Sequence, residues 1–170
     1  MQGHRAIHVI QGEHAVSDEE DVILLTVLGS CVAACLYDPV RRIGGMNHFL
    51  LPEGRDAGDI RHASAAMERL VNSLLKCGAA RERLRAKLFG GARMIPGLPD
   101  IGLRNGEAAQ AFLRGERIPC EAADLGGAKG RRIRFWPATG RAQMLLLDRV
   151  DPTVARQRPK PLADVSVELF

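Results

Sequence analysis

A cysteine and a histidine that the chain can bring together are the residues best suited to covalent chemistry in this sequence. Cys31 and His48 lie 17 positions apart, in the segment GSCVAACLYDPVRRIGGMNHFLL. A thiol beside an imidazole can act as a nucleophile with its base, because the imidazole accepts the thiol proton and later protonates a leaving group. The pair therefore predicts nucleophilic catalysis.

A β-hairpin would bring these two side chains together. Two apolar runs flank the sequence Asp-Pro-Val-Arg at 38–41, a turn sequence in which proline presets φ. If Asp38 and Arg41 close this turn, Cys31 stands directly opposite His48, with Cβ atoms about 5 Å apart. We also expect the neighbouring imidazole to lower the pKa of the thiol.

The residues beside the pair are candidates for contact with a substrate. Gly29 and Ser30 precede the cysteine, and glycine lets a substrate come close to the backbone because it has no Cβ. The backbone N–H of Cys31 can then help to hold an oxyanion. Asn47 precedes the histidine and belongs to the same vicinity. A cysteine in an apolar strand is often a core residue, so spacing alone leaves that alternative open.

Apolar periodicity predicts the elements that must position these residues. We expect strands at 7–10, 22–28, 31–37, 43–51, 83–89, 118–125, 132–136 and 142–150, and helices at 59–76 and 105–114. Two helices cannot cover both faces of so many strands. We therefore predict an α+β fold, a layered α/β/β sandwich with mixed, mainly antiparallel sheets and both helices on one side. Arg83, Arg85 and Lys87 alternate with apolar residues and are expected on a solvated strand face.

Length and composition favour an ordinary globular domain. The chain has 170 residues, of which 46% are hydrophobic and 26% charged. We expect one domain over 1–150 and a partly disordered C-terminal tail over 151–170, where Pro, Arg and Lys dominate. A net charge of +4 is too small to favour nucleic-acid binding. No apolar run reaches the roughly 18 residues of a membrane span, and the N-terminus lacks a signal pattern, so we expect a cytoplasmic protein.

Longer motifs around the pair carry a resemblance to a known family. The segments LGSCVAACLYDP at 28–39 and GGMNHFLLP at 44–52 resemble the CheD family of chemoreceptor glutamine deamidases. Further matches are KLFGGARM at 87–94, IGLRN at 101–105 and DLGGAKGRR at 124–132. Together these motifs extend the resemblance over about residues 5–150.

The resemblance implies a reaction and its participants. Such proteins hydrolyse the side-chain amide of selected glutamines on methyl-accepting chemotaxis receptors, giving glutamate and ammonia. The family nucleophile corresponds to Cys31 and the family histidine to His48, and no metal or cofactor is required. A CheC-type phosphatase is a further partner that the family implies for some chemotaxis systems.

The third catalytic position departs from the family pattern. The family can carry a threonine six residues before the cysteine, where this chain has Leu25, and Thr26 is the neighbouring hydroxyl. On a strand, a shift of one residue turns a side chain to the opposite face. Either a bulge restores Thr26, or another group, such as a backbone carbonyl, orients His48.

Two other function classes remain open at this point. A non-catalytic adaptor could bind chemoreceptors or a CheC-type phosphatase, with Leu25 as a mark of lost activity. A cysteine protease would use the same dyad. The intact Cys31 and His48 favour an amidohydrolase with a cysteine nucleophile.

Overall fold

Ten strands and two α-helices form the part of the chain that the computed structural model describes, residues 3–51, 57–97, 99–148 and 167–170. A short 3₁₀ helix also lies at Arg81–Arg83. The elements in chain order are β1 (Arg5–His8), β2 (His14–Ser17), β3 (Val22–Leu28), β4 (Val32–Asp38), β5 (Ile43–Asn47), α1 (Ala57–Lys76), β6 (Arg85–Gly90), α2 (Ile101–Gly115), β7 (Cys120–Leu125), β8 (Gly130–Trp136), β9 (Arg141–Leu147) and β10 (Val167–Leu169).

The strands form two five-stranded sheets. The first sheet has the order β1-β3-β8-β9-β10, and the second has the order β2-β5-β4-β6-β7. The pairs β1–β3 and β6–β7 are parallel, and every other pair between these strands is antiparallel. Both helices contact strands of the second sheet. The layers are therefore helices, second sheet and first sheet, which confirms the predicted α+β sandwich with mixed sheets and helices on one side.

The central strand β4 is buried on both faces, which explains its continuous apolar sequence. Val32, Ala34 and Leu36 face the helices and pack in one core. Ala33 and Cys35 face the first sheet and pack in a second core between the sheets. Side chains alternate between faces along a strand, so one uninterrupted apolar run serves two cores.

The hairpin between β4 and β5 has a different register from the one predicted. Asp38 pairs with Ile43, and Val32 forms a bridge with Phe49. The loop therefore holds four residues instead of two, closed by a hydrogen bond from Arg42 N–H to the Asp38 carbonyl of 2.9 Å. This register puts position 50, rather than 48, across from position 31, so the prediction that Cys31 stands directly opposite His48 is wrong.

The carboxylate of Asp38 fixes this loop. Asp38 is fully buried, and its oxygens accept the backbone N–H groups of Val40 (3.0 Å), Arg41 (3.1 Å) and Ala80 (2.9 Å). The Arg83 guanidinium completes the set with contacts of 2.9–3.1 Å. Burial acts to raise the pKa of Asp38, but the hydrogen bonds outweigh it and lower the pKa to about 2.

Lys87 is not on a solvated strand face, contrary to the prediction from alternation. The Lys87 side chain points between the sheets, because it shares the register position of the inward-facing Cys35. It is only 7% exposed, and its ammonium donates to the carbonyl oxygens of Gly140 (2.7 Å) and Phe170 (3.0 Å). Alternation in β6 therefore distinguishes two buried faces rather than a dry face from a wet one. A charged side chain can occupy a buried face of a strand, as an apolar one does, when carbonyl oxygens accept its hydrogen bonds.

The remaining differences lie at element ends. Strand β2 was not predicted, and α1 and α2 each begin before their predicted starts at 59 and 105. Residues 149–166 lie outside the described part of the chain, so the boundary at 150 and the order of most of the tail stay predictions. The final residues form β10 beside β9, and the Phe170 ring packs edge-on against Phe89. No helix among the described residues is long and apolar enough to cross a bilayer.

Replacement of Asp38 by alanine should destabilise the fold. The substitution leaves three backbone N–H groups and the Arg83 guanidinium without their acceptor, so we expect unfolding free energy to fall by about 3 kcal/mol at neutral pH. The folded pKa of about 2 lies below the ordinary 3.8, so the carboxylate stabilises above about pH 3.8 and this contribution disappears as the pH falls toward 2.

Urea denaturation at neutral and acidic pH measures this effect. The difference in unfolding free energy between the wild type and Asp38→Ala should become smaller at low pH. The exposed Asp18→Ala is the matched control and should behave like the wild type. A pH-independent gap would contradict the assignment of the stabilisation to the ionised carboxylate.

Candidate active site

The candidate site lies where the chain crosses from one sheet to the other. The link from β1 to β2 and the link from β3 to β4 both make this crossing, and the residues after β5 lie beside them. Cys31 belongs to the β3–β4 link and His48 follows β5. The β-sandwich therefore collects residues from three separate segments at one end of the inter-sheet space.

The segment that carries Cys31 is held by backbone contacts that exclude larger residues. The Cys31 carbonyl accepts the Gly91 N–H at 2.8 Å, and the Gly29 carbonyl accepts the Ala92 N–H at 3.0 Å. Gly90 has φ of +112°, and a Cβ at this position would lie 2.1 Å from the Cys31 carbonyl oxygen. The double glycine after β6 thus permits the close approach that fixes the cysteine.

A buried amide joins the Cys31 segment to the segment that follows His48. Asn105 on α2 is fully buried. Its Nδ2 donates to the Ser30 carbonyl at 2.8 Å, and its Oδ1 accepts the Leu51 N–H at 2.8 Å. One side chain therefore fixes the spacing of the backbone segments that carry Cys31 and His48.

The imidazole of His48 bridges the two sheets. The backbone N–H of His48 donates to the Glu13 carbonyl (3.1 Å), and the His48 carbonyl accepts the Gly12 N–H (2.8 Å). These two bonds hold the His48 backbone against the β1–β2 link. The ring is 1% exposed. Its Nδ1 lies 2.8 Å from the Thr26 Oγ1 and 3.2 Å from the Val9 carbonyl oxygen, both belonging to the first sheet's side of the interface.

These contacts assign the tautomer of His48. The Thr26 hydroxyl has one hydrogen and donates it to the Val9 carbonyl at 2.7 Å. Thr26 Oγ1 must then accept from His48, and a carbonyl can only accept, so the proton is on Nδ1. The other ring nitrogen, Nε2, carries the lone pair. It is buried and has no hydrogen-bond partner among the described residues.

The position of Thr26 follows from strand parity. Val22, Leu24 and Leu28 of β3 pack in the core between the sheets, and Thr26 shares their parity. Leu25 therefore points to the opposite face. The register of β3 with β8 runs without a shift from Leu24 to Leu28, so no bulge is needed there. The Thr26 hydroxyl therefore reaches His48 without the bulge that was expected to restore it, and the Val9 backbone carbonyl contacts the same ring nitrogen.

The thiol and the imidazole are both neutral in the resting site. Burial raises the pKa of Cys31 to about 11, although its own backbone N–H acts in the opposite direction. Burial also lowers the pKa of His48 below 6.5, against the effect of the Val9 carbonyl. The expected lowering of the thiol pKa is therefore not found. Desolvation penalises both charged forms. The thiol and the imidazole form no hydrogen bond with each other, because the sulfur contacts Gln11 and His48 Nε2 has no partner among the described residues.

Two cavities lie beside the segments that carry His48 and Cys31, although Cys31 itself lines neither of them. One, of about 230 Å³, is lined by residues that include His48, Gln11 and Arg69. The other, of about 300 Å³, is lined by residues that include Ser30 and Met94. Leu50, which lies across from position 31 in the hairpin register, lines both cavities. A side chain from another molecule can therefore approach this end of the sandwich from either side.

The three flanking residues differ in what they contact. Gly29 and Ser30 hold the Cys31 segment in place through their carbonyl groups, which accept hydrogen bonds from Ala92 and Asn105. Asn47 lines the first cavity, but its Oδ1 accepts the Ala34 N–H at 2.9 Å and its Nδ2 faces α1, with Ala66 O at 3.5 Å. These bonds commit the Asn47 amide to joining β4 with α1, on the opposite side of the sheet from the His48 contacts.

Three residues near Cys31 and His48 were not predicted from the sequence to lie at the site. Val9 contributes only a carbonyl, which no side-chain pattern reveals. Asn105 stood within a matched motif, but nothing in its spacing showed that it reaches Ser30. Gln11 lies with its Oε1 3.8 Å from the Cys31 Sγ, 20 positions away in sequence. An Asn inside an apolar helix stripe and a Gln beside glycine were the available signals.

Comparison with known proteins places the chain in a family. The model of the CheD family, described as chemotactic sensory transduction, matches residues 50–145. A protein of Caulobacter vibrioides named probable chemoreceptor glutamine deamidase CheD is 49% identical, with 96% of this chain and 92% of that protein covered. A protein of the same name from Acidiphilium cryptum is 47% identical, with 98% and 94% covered. The chain belongs to the CheD family, which confirms the resemblance.

A solved structure offers a more distant likeness. The Bacillus licheniformis hypothetical protein YfiH superposes with a TM-score of 0.45 at 14% identity, covering 68% of this chain and 49% of that one.

Alkylation measures the protonation state of Cys31. With a pKa of about 11, little of Cys31 is thiolate at neutral pH, so iodoacetamide should modify the exposed Cys77 faster than Cys31. The rate at Cys31 should rise about tenfold per pH unit until it approaches this pKa. Peptide mass spectrometry over a pH series gives both rates. Preferential labelling of Cys31 near pH 7 would contradict the neutral pair.

Proposed function

We propose that this chain hydrolyses the side-chain amide of glutamine residues in chemoreceptors, with Cys31 as the nucleophile. The observation that carries the proposal is the state of His48: a buried imidazole whose Nδ1 is engaged and whose Nε2 holds an unused lone pair. A nitrogen with a free lone pair can act as a general base and accept a proton. The family membership and the names of the relatives supply the substrate class.

The first half of the reaction forms a thioester. His48 Nε2 takes the thiol proton as the Cys31 sulfur attacks the carboxamide carbon of the substrate glutamine. The carbonyl oxygen becomes an oxyanion, for which the Cys31 backbone N–H is one donor. The imidazolium then gives its proton to the departing nitrogen, and ammonia leaves.

The second half of the reaction restores the enzyme. His48 Nε2 removes a proton from water as the water oxygen attacks the thioester carbon. The carbon–sulfur bond breaks, glutamate is released, and the imidazolium returns its proton to the sulfur. Thr26 supports both halves, because its oxygen accepts from Nδ1 and keeps Nε2 directed away from the first sheet.

The mass of a chemoreceptor after incubation with the protein tests this proposal. Each conversion of a glutamine amide to an acid adds about one dalton, and peptide mass spectrometry locates it. We expect Cys31→Ala to abolish the conversion by removing the nucleophile, while receptor binding survives. The matched control, Cys77→Ala, removes an exposed cysteine and should retain full activity.

The same experiment separates the alternatives. Receptor binding by the wild type without any mass gain would overturn deamidation and favour the adaptor. Receptor fragments would favour a protease. A CheC-type phosphatase stays a proposed partner, and its addition to the assay would reveal whether it changes the rate.

Removal of the Thr26 hydroxyl should slow catalysis without removing a reacting group. In Thr26→Val the His48 Nδ1 keeps only its longer contact with the Val9 carbonyl. We expect kcat to fall about 30-fold, equivalent to roughly 2 kcal/mol, with KM nearly unchanged. Thr26→Ser keeps the hydroxyl and should recover most of the rate. Equal activity of the valine and serine variants would contradict the role of the hydroxyl.

A further inference from the structure

Gln11 places a carboxamide beside the reacting sulfur. It lies in the link between β1 and β2, where the Glu13 N–H donates to Ile10 O at 3.0 Å and closes a turn. The Gly12 N–H donates to the His48 carbonyl at 2.8 Å, which fixes the turn against the segment that carries the base. The position of Gln11 relative to the catalytic pair is thus determined by backbone hydrogen bonds.

The contact between Gln11 and Cys31 has a defined direction in the resting site. The neutral thiol donates to the Gln11 Oε1, with 3.8 Å between sulfur and oxygen. The proton of this contact is the one that the reaction removes. Once Nε2 of His48 takes it, the sulfur has nothing left to donate, and Oε1 loses its partner.

The same side chain can then present its other end. A glutamine amide has two N–H donors on Nε2 beside its acceptor oxygen, and its terminal torsion is broad, so rotation exchanges the two groups at little cost. The oxyanion of the tetrahedral intermediate forms on the carbon bonded to Cys31 Sγ. It therefore develops within reach of a group that already contacts that sulfur.

The two asparagine amides near this site are already committed, and the Asn105 amide bonds to Ser30 and Leu51. The Asn47 amide is committed to Ala34 and to α1 through three contacts of 2.9–3.5 Å. Gln11 is exposed, and it lines the cavity that also contains His48. We propose that Gln11 is a further catalytic residue, which donates its Nε2–H to the oxyanion together with the backbone N–H of Cys31. This inference rests on the proposed deamidation and deepens it.

Kinetics of two substitutions at position 11 test the role. Gln11→Ala removes the amide, and Gln11→Met keeps its length without N–H donors. We expect each to lower kcat for receptor deamidation about 100-fold with KM changed less than about threefold, since an oxyanion donor acts only in the transition state. Gln110→Ala, on α2 and outside both cavities, is the matched control and should keep wild-type kinetics.

Alkylation of Cys31 distinguishes an oxyanion donor from a residue with only a structural role. Loss of structure around Cys31 would change its alkylation rate, whereas loss of an oxyanion donor would not. The reaction with iodoacetamide uses the same sulfur but forms no oxyanion. In Gln11→Ala and Gln11→Met the alkylation rate should therefore stay within about threefold of the wild type while deamidation falls. A parallel loss of both rates, or full deamidation activity in either variant, overturns the assignment.

The mass of the protein itself gives the last outcome. Conversion of Gln11 to glutamate in the wild type, but not in Cys31→Ala, would identify Gln11 as a substrate of its own site and overturn its role as donor. Failure of the proposed function is distinguishable, because the wild type would then produce no mass gain in the receptor at all. If the wild type and Gln11→Ala deamidate the receptor equally well, the role of Gln11 is overturned but the proposed deamidation is not.

Discussion

The contact of the His48 ring with the Thr26 hydroxyl is the interaction on which the proposed chemistry depends. It crosses from the second sheet to the first, and it is buried, with Thr26 3% and His48 1% exposed. The hydroxyl donates its one hydrogen bond to the Val9 carbonyl, so it can only accept a hydrogen bond from the ring. This chain of two hydrogen bonds decides which nitrogen carries the proton and leaves the other as a base.

The layer order explains why such a site can exist in a small domain. A strand buried on both faces needs a layer against each face, and β4 has helices on one side and the first sheet on the other. The links that cross between the sheets must then run over an end of the inter-sheet core. Gln11 and Cys31 lie on two of these links. Loops on a rigid scaffold commonly carry functional residues, because backbone bonds hold them while their side chains stay accessible.

Burial has a chemical consequence for the nucleophile. A thiol with a pKa of about 11 is almost entirely protonated at neutral pH, and burial disfavours the charged form of the His48 imidazole as well. Charge separation between sulfur and imidazole becomes favourable only when donors for the developing oxyanion and a substrate carbonyl are present. Under the proposed mechanism, reactivity is thus coupled to substrate binding, and the resting thiol is protected from solution electrophiles.

Apolar periodicity and local motifs are properties of neighbouring positions, so they were enough to predict the fold class, the family and the two residues proposed to react. The sequence did not determine the register of the β4–β5 hairpin, where a four-residue loop closed by Asp38 replaced the tighter turn. Nor could it place Thr26, Val9, Asn105 and Gln11 around the pair. These contacts join segments up to 75 positions apart, and they depend on how the sheets stack. Only tertiary structure decides such distances, since strand parity fixes a face but not what lies across from it.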